Sequence, residues 1–203
     1  MIDVEAVVAL QREAVVRWHS EPVDNPYDGF LGLVCQQCGF NYLLWHEEDI
    51  ARSPSVSDAE IARVKRSIDR YNQQRNDAIE KLDDWITARL EELKVVAFPQ
   101  ARLNSETAGS VIDRLAILAL RIYHLEEQAR RTEAAPEHVA SVERKLAIAL
   151  AQHNDLAQCL RELLDDLTSG RKRHRTYRQL KMYNDPTLNP YLYQAQNHSV
   201  AQR

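Results

Sequence analysis

The chain resembles itself. When the sequence is shifted by 78 positions without a gap, one long segment aligns with a later one. Between residues 46 and 86 the shift gives 11 identities in 41 positions, against roughly three expected from average amino-acid usage. Internal similarity of this kind is typical of a duplicated helical unit whose copies must stack to be buried. The best-matched pieces are Trp45 to Arg52 with Tyr123 to Arg130, and Gln74 to Asp77 with Gln152 to Asp155.

Apolar residues recur at spacings of three and four along most of the chain, which predicts helices. Pro54 and Pro99 mark helix ends, and Ser57-Asp58-Ala59-Glu60 is a capping box that begins a helix. Because no alternating strand pattern appears, we predict one all-α domain over 1–203, an antiparallel bundle of an N-terminal helix and two duplicated hairpins, 30–97 and 108–169. The predicted helices are Val4 to His19, Phe30 to Arg52, a third from the capping box at 57–60 along an apolar stripe to Leu93, Thr107 to Arg131, Pro136 to Ser169, and a basic sixth helix from Arg171 to Met182 before an extended tail.

Composition and cysteine usage indicate the class of protein. The 203 residues include only five Gly and seven Pro, which suits one soluble helical domain. The N-terminus is acidic and interrupted by polar residues, so we predict neither a signal peptide nor a membrane span. Cys35 and Cys38 lack the second ligand pair of a zinc site, so we interpret them as buried thiols of a cytoplasmic protein.

Charge is unevenly distributed along the chain. From Arg171 onward there are seven Lys/Arg against one acid, a net of +6, while residues 1–170 carry −10. We expect the basic segment 171–203 to dock on its own bundle or across a homodimer, or to bind an anionic partner. It is short and lacks a recognised nucleic-acid fold, so nucleic acid is not the expected partner. The anion-binding candidates are Arg171, Lys172, Arg173, Arg175, Arg178 and Lys181.

Polar residues interrupt the apolar stripes of both predicted hairpins, and buried polar groups are costly unless paired. Two interpretations stay open: a salt-bridge and amide network that fixes helix register, or oxygen ligands for Mg²⁺ or another divalent cation, which could hold a phosphorylated ligand. His46 and His124, each after an aromatic residue and before acids, are more typical of helix surfaces than of ligands. The candidates are His124, Glu126, Glu127, Arg75, Asn76 and Asp77, with repeat counterparts His46, Glu48, Asp49, His153, Asn154 and Asp155.

Hairpin geometry predicts which of these residues stand level. Counting from a turn near Ala101 places Asn76 level with Glu126, and Arg75 with Glu127. By the same count Glu48 and Asn154 differ by more than 20 residues of rise, over roughly 30 Å. We therefore expect the two copies to share one site only in a dimer or around a kinked helix. Counting from the second turn, near Ala134, sets Arg114 level with Asn154, and Asp113 level with Asp155.

Several motifs resemble a known family. They are the runs Asn41 to Asp49, Asn72 to Asp77, Ile112 to Leu115, Ile122 to Gln128, Gly170 to His174 and Lys181 to Pro186. Together they resemble the bacterial family catalogued as domain of unknown function 4254, over nearly the whole chain. The resemblance implies a soluble bacterial protein, and it brings no activity and no catalytic residues.

Two functions stay open, and with them the question whether the protein is an enzyme. The first is a non-catalytic binding or assembly module with a buried polar layer. The second is a divalent-metal-dependent hydrolase of a phosphorylated small molecule, similar in outline to the all-α nucleoside triphosphate pyrophosphohydrolases. Those enzymes use Glu-x-x-Glu and Glu-x-x-Asp around magnesium, whereas the acids here are adjacent, as Glu48-Asp49 and Glu126-Glu127. The sequence therefore favours the first function.

Overall fold

The computed structural model describes residues 2–182 and 185–194, and most of them are helical. The long helices are α1 Val4–Trp18, α2 Gly29–Ala51, α3 Asp58–Glu92, α4 Ala108–Ala129 and α5 Pro136–Thr168, and residues 190–194 form a short helical turn. Two-residue strands, β1 Arg102–Leu103 and β2 Lys172–Arg173, pair in parallel. The all-α bundle expected from the sequence is therefore confirmed.

The helices begin where short polar residues or proline favour a start. The side chains of Asp3 and Thr107 accept hydrogen bonds from the backbone N–H three residues later, at 3.1 Å in each case. Ser57 of the predicted capping box accepts from the backbone N–H of Glu60 at 3.3 Å. Pro136 occupies the first turn of α5, where its missing N–H costs nothing. Local sequence therefore sets the helix boundaries.

Helix α1 packs against α2, α4 and α5 and closes the core of the bundle. Its buried residues Val7, Ala14 and Val15 join α4 and α5 residues such as Leu115 and Leu160 in one apolar cluster. These α1 side chains are fully buried, with 0% exposure. In such a core, truncation of a single large side chain typically costs about 2–5 kcal/mol. Among the described residues no helix is long and apolar enough to cross a membrane.

Helices α2 and α4 run side by side in the same direction. Asn41 of α2 donates to Asp113 of α4 at 3.0 Å. Further along both helices, the rings of His46 and His124 lie 5.8 Å apart. The expectation that the two copies share a site only in a dimer or around a kink is therefore wrong for these histidines. Two antiparallel hairpin steps return the chain to its first direction, which allows His46 and His124 to meet.

The helix boundaries repeat at nearly the sequence shift. Helices α2 and α4 begin at residues 29 and 108, and α3 and α5 begin at residues 58 and 136. Helix α2 packs chiefly on α3, and α4 chiefly on α5. Superposition of the two hairpins stays a prediction.

The connection between α3 and α4 gives a different register from the one expected. Asp83 Oδ1 accepts from the backbone N–H of Gly109 at 2.8 Å. The start of α4 therefore lies level with Asp83, which is nine residues before the last residue of α3. A Cβ at position 109 would lie 2.8 Å from the carbonyl oxygen of Ile79, which explains the glycine. The level pairs Asn76 with Glu126 and Arg75 with Glu127 are therefore wrong, because residues 93–107 form a long irregular connection rather than a symmetric turn.

The predicted sixth helix is also wrong. Lys172–Arg173 forms β2, and the chain then continues without helix as far as residue 181. Burial alternates along this stretch, with Lys172, His174 and Thr176 half-buried and their neighbours exposed. Backbone pairing with β1 and side-chain contacts with α3 compete successfully with the helical propensity of the segment. The predicted extended tail falls partly on residues 183, 184 and 195–203, which lie outside the described residues.

Candidate metal centre

Three histidine rings meet where α1, α2 and α4 pack together. His19 is the C-terminal cap of α1, His46 belongs to α2 and His124 to α4. Ring centroids are 5.2 Å apart for His19 and His46, 5.1 Å for His19 and His124, and 5.8 Å for His46 and His124. One ring nitrogen of each lies within 4.8 Å of the others. We call these three residues the histidine cluster.

The outward nitrogens of the cluster face acceptors. Nδ1 of His19 lies 2.6 Å from the carbonyl oxygen of Val15. Because a carbonyl oxygen only accepts, Nδ1 carries the proton and donates. Nδ1 of His124 lies 2.8 Å from the Glu127 carboxylate, and Nδ1 of His46 lies 4.0 Å from Asp49. The hydrogen bonds to Val15 and Glu127 orient the His19 and His124 rings with Nδ1 as the donor, which in a neutral ring leaves the free lone pair on Nε2.

The remaining nitrogens have no hydrogen-bond partner. Nε2 of His19, His46 and His124 are all buried and unpartnered. Buried polar atoms in proteins are nearly always satisfied, so three unsatisfied acceptors at one place require an explanation. Neutral imidazole nitrogens are typical ligands of zinc and related ions, and such histidines commonly donate their other nitrogen to a carboxylate or carbonyl. The cluster has both features.

Aromatic rings fix the histidines from the sides. His19 stacks on Tyr123 at 3.8 Å, and His124 stacks on Trp45 at 5.1 Å. Tyr42 contacts the edges of His19 and His46, and its hydroxyl donates to the Trp18 carbonyl at 2.7 Å. Packing of this kind limits ring rotation and holds the three Nε2 atoms in one region.

Burial, and then the neighbouring His19 and His124, lower the pKa of His46, while Asp49 and Glu127 oppose the shift. Each of these effects has a simple origin. Desolvation disfavours the imidazolium form, and a second cation nearby disfavours it further. The His46 ring is therefore held neutral, which is the form that ligates a metal.

Two of the three histidines correspond to each other in the sequence similarity between the two halves. His46 and Asp49 of α2 correspond to His124 and Glu127 of α4 at the shift of 78. Each pair is one helical turn apart, so the acid lies beside its own histidine. His19 was missed by the sequence analysis because it lies outside the repeat. A signal was present, since an aromatic residue precedes all three histidines: Trp18-His19, Trp45-His46 and Tyr123-His124.

The other predicted site residues are dispersed. Glu126 binds Arg12 at 2.9 Å, Glu48 binds Arg52 at 2.8 Å, and Asp77 accepts from Gln73 at 2.7 Å. Of the remaining predicted residues, Asn76 is half-buried, His153 is buried, and Asn154 and Asp155 are exposed. Arg114 and Asp155 line one cavity between α4 and α5. Among the described residues, the histidine cluster is the one group of three or more His, Cys, Asp or Glu close enough to share an ion.

A second polar cluster surrounds Asp113, which is 4% exposed. Its carboxylate accepts from Gln37 at 2.5 Å and from Asn41 at 3.0 Å. Arg75 adds two parallel hydrogen bonds, from Nε at 2.7 Å and from Nη2 at 2.5 Å. The ion pair raises the pKa of Arg75 above its ordinary value. Of this Asp113 cluster only Arg75 belonged to the predicted site.

The predicted anion-binding residues are mostly engaged with the body of the protein. Arg171 and Lys172 contact Asp166. Arg178 binds Glu80 at 3.0 Å and Asp84 at 2.8 Å on α3, and Lys181 donates to the Asn72 carbonyl at 3.3 Å. Arg173 and Arg175 are exposed. The described part of the basic segment therefore docks on its own bundle.

Comparisons with known proteins assign a family without an activity. A family model described as protein of unknown function (DUF4254) matches residues 31–176. None of the curated proteins and none of the solved structures compared with the chain matches it.

Proposed function

The chain belongs to the DUF4254 family, and we propose that it binds a transition-metal ion through His19, His46 and His124. The proposal is carried by the convergence of the three rings, in which one nitrogen of each lies within 4.8 Å of the others and each Nε2 is buried without a hydrogen-bond partner. All three of the proposed ligand atoms are imidazole nitrogens. Such a set favours Zn²⁺ or a related ion over Mg²⁺, which prefers oxygen ligands.

The outer contacts of the cluster support this proposal. Metal-bound histidines usually donate their other N–H to a carboxylate or a backbone carbonyl, and loss of that contact typically weakens metal binding by about 10–100-fold. Here the outer acceptors are Val15, Asp49 and Glu127. Zinc–nitrogen bonds are about 2.0–2.1 Å long. Binding would therefore draw the three nitrogens closer together by small rotations of the rings.

A second candidate function is metal-dependent hydrolysis. Three protein ligands leave a fourth position for water, as in catalytic zinc sites, whereas structural zinc sites usually have four protein ligands. The side chains of His46 and His124 are 36% and 24% exposed, so the cluster lies close to solvent although its Nε2 atoms are buried. Hydrolysis of p-nitrophenyl phosphate by zinc-loaded protein, lost in His46→Gln, would support it. Equal rates in the two proteins would contradict it.

The metal-binding proposal can be tested with Co²⁺ and Zn²⁺ on chelator-treated protein. We expect one equivalent of Co²⁺ to give the intense visible absorption of a four-coordinate ion, and Zn²⁺ to displace it. Each of His19→Gln, His46→Gln and His124→Gln should weaken binding at least about tenfold.

Two histidines outside the cluster serve as matched controls. His153→Gln changes a buried histidine, and His138→Gln changes an exposed one. Both variants should bind Co²⁺ as the unchanged protein does. Undiminished binding of one equivalent by the triple variant of His19, His46 and His124 would refute the proposal, as would an absence of binding at micromolar metal.

A further inference from the structure

A second cavity, of about 420 Å³, opens between α2, α3 and α4. We propose that it binds a small organic anion, a carboxylate or phosphate with an apolar body, whose charged group lies on Arg75. The lining contains none of the three histidines, although Trp45 and Asp49 touch both the cavity and the histidine cluster, and the inference does not rest on metal binding. A volume of this size lies in the range of about 300–1,000 Å³ that is typical of small-molecule sites.

Arg75 is fixed in position before any ligand arrives. Its Nε and Nη2 donate to the two carboxylate oxygens of Asp113, which is 4% exposed. Two of the five guanidinium N–H groups are used in this way, and Arg75 is one of the residues that line the cavity. A planar donor group held by a buried carboxylate loses little entropy when it binds an anion, and its fork matches carboxylate and phosphate oxygens.

The walls of the cavity are apolar. Leu44 and Trp45 of α2 face Ile117 and Leu120 of α4. An apolar lining with a few fixed polar groups is the usual composition of a ligand pocket. The Trp45 indole stacks on His124 and also lines the cavity, so it is a natural reporter of occupancy. An aromatic or aliphatic body of the ligand would lie against these side chains.

The acidic residues of the lining lie at its mouth. Glu48 is paired with Arg52 at 2.8 Å, and Asp49 is 60% exposed beside His46. They follow Asn41 by seven and eight residues, or about 10–12 Å along the helix. The inner end therefore presents Arg75 and Asn41, away from these carboxylates, which places the anionic group of the ligand there.

The test uses phenyl phosphate and benzoate, with benzyl alcohol as the neutral analogue. Binding is followed through the indole N–H signals in ¹H–¹⁵N correlation spectra of the full chain. We expect the Trp45 signal to move with phenyl phosphate, with benzoate, or with both, which identifies the acid class. The signals of Trp18 and Trp85, which do not line the cavity, should stay in place.

Two variants test the Arg75 guanidinium and the volume of the cavity separately, and two further variants are controls. Arg75→Lys keeps the positive charge beside Asp113 but loses the fork, and should weaken anion binding about tenfold or more. Ile117→Phe fills the cavity and should abolish binding, while Ile148→Phe on the exposed face of α5 should have no effect. His46→Gln should retain anion binding even if it loses metal, so the two proposals can fail independently.

Three outcomes would overturn the inference. One is a fixed Trp45 signal with both anions at 10 mM. The second is an equal response to benzyl alcohol, and the third is unchanged affinity in Arg75→Lys.

Discussion

The bundle contains two polar clusters that differ in how their atoms are satisfied. In the Asp113 cluster, one buried acceptor group meets donors from Gln37, Asn41 and Arg75. In the histidine cluster, the three buried Nε2 atoms have no hydrogen-bond donor. In the first arrangement the Asp113 carboxylate is satisfied without a ligand, because each hydrogen bond to it offsets its desolvation, and Gln37 Oε1 is the atom left without a partner. The second lacks a positive partner, which a metal ion would supply.

The largest expected effect comes from breaking the satisfied cluster. Asp113→Ala leaves the Arg75 guanidinium and two amide donors without their acceptor. Loss of one partner of a buried ion pair typically costs about 3–5 kcal/mol, and we expect a value near 3 kcal/mol because Arg75 is partly exposed. Urea unfolding of the metal-free protein measures the change. A loss below about 1 kcal/mol would show that the cluster does not anchor α3 to α4.

Metal should stabilise the unsatisfied cluster by a similar amount. Zn²⁺ at 100 times its Kd raises the free energy of unfolding by about 2.7 kcal/mol, or roughly 5–10 °C in Tm for a chain of this size. Thermal unfolding with and without Zn²⁺ measures this shift. It should disappear in the triple variant of His19, His46 and His124. An equal shift in that variant would place the zinc elsewhere.

Glu126→Gln should have a smaller effect than either of these changes. The Glu126 and Arg12 side chains are 24% and 32% exposed, so the ion pair is screened by solvent and contributes at most about 1 kcal/mol. The effect is smaller than a buried contact between Glu126 and Asn76 would give. The partner of Glu126 is the partly exposed Arg12 on α1 rather than a buried residue on α3. A double-mutant cycle with Arg12→Gln isolates the pair. A coupling energy above about 2 kcal/mol would contradict this assignment.

The smallest effect concerns a lone unsatisfied histidine. Burial, and then Arg12, lower the pKa of His153, while Glu126 faces the same arginine. A lowered folded-state pKa means that the unfolded chain binds the proton more readily. The stability that neutral His153 contributes is therefore complete above the ordinary histidine pKa of about 6.5. It is lost as the pH falls through the folded-state pKa.

Urea unfolding between pH 7.5 and 5.5 tests this effect. His153→Gln should lose less stability over the interval than the unchanged protein. The control variant His138→Gln, at an exposed position, should lose as much as the unchanged protein. An identical pH dependence in His153→Gln would show that His153 is not held neutral by burial.

The helix boundaries could be predicted from sequence because capping is local. Ser57 and Pro136 mark helix starts through contacts within one turn, and Gly170, at φ +74°, follows the end of α5. The burial of Cys35 and Cys38 followed from their apolar surroundings and is confirmed. The segment after Gly170 was mistaken for a helix because its partners, β1 and the acidic side of α3, are distant in sequence.

The candidate site also has a part that the sequence predicted and a part that it did not. The repeat identified His46 and His124 as equivalent residues, and the one-turn spacing placed an acid beside each. That the two rings meet depends on α2 and α4 packing side by side in the same direction. The addition of His19 depends on the position of α1 across them. Spacing along a helix is fixed by its 3.6-residue turn, whereas contacts between helices depend on which faces pack and on the length of the connections, so only the tertiary structure assembled the three nitrogens.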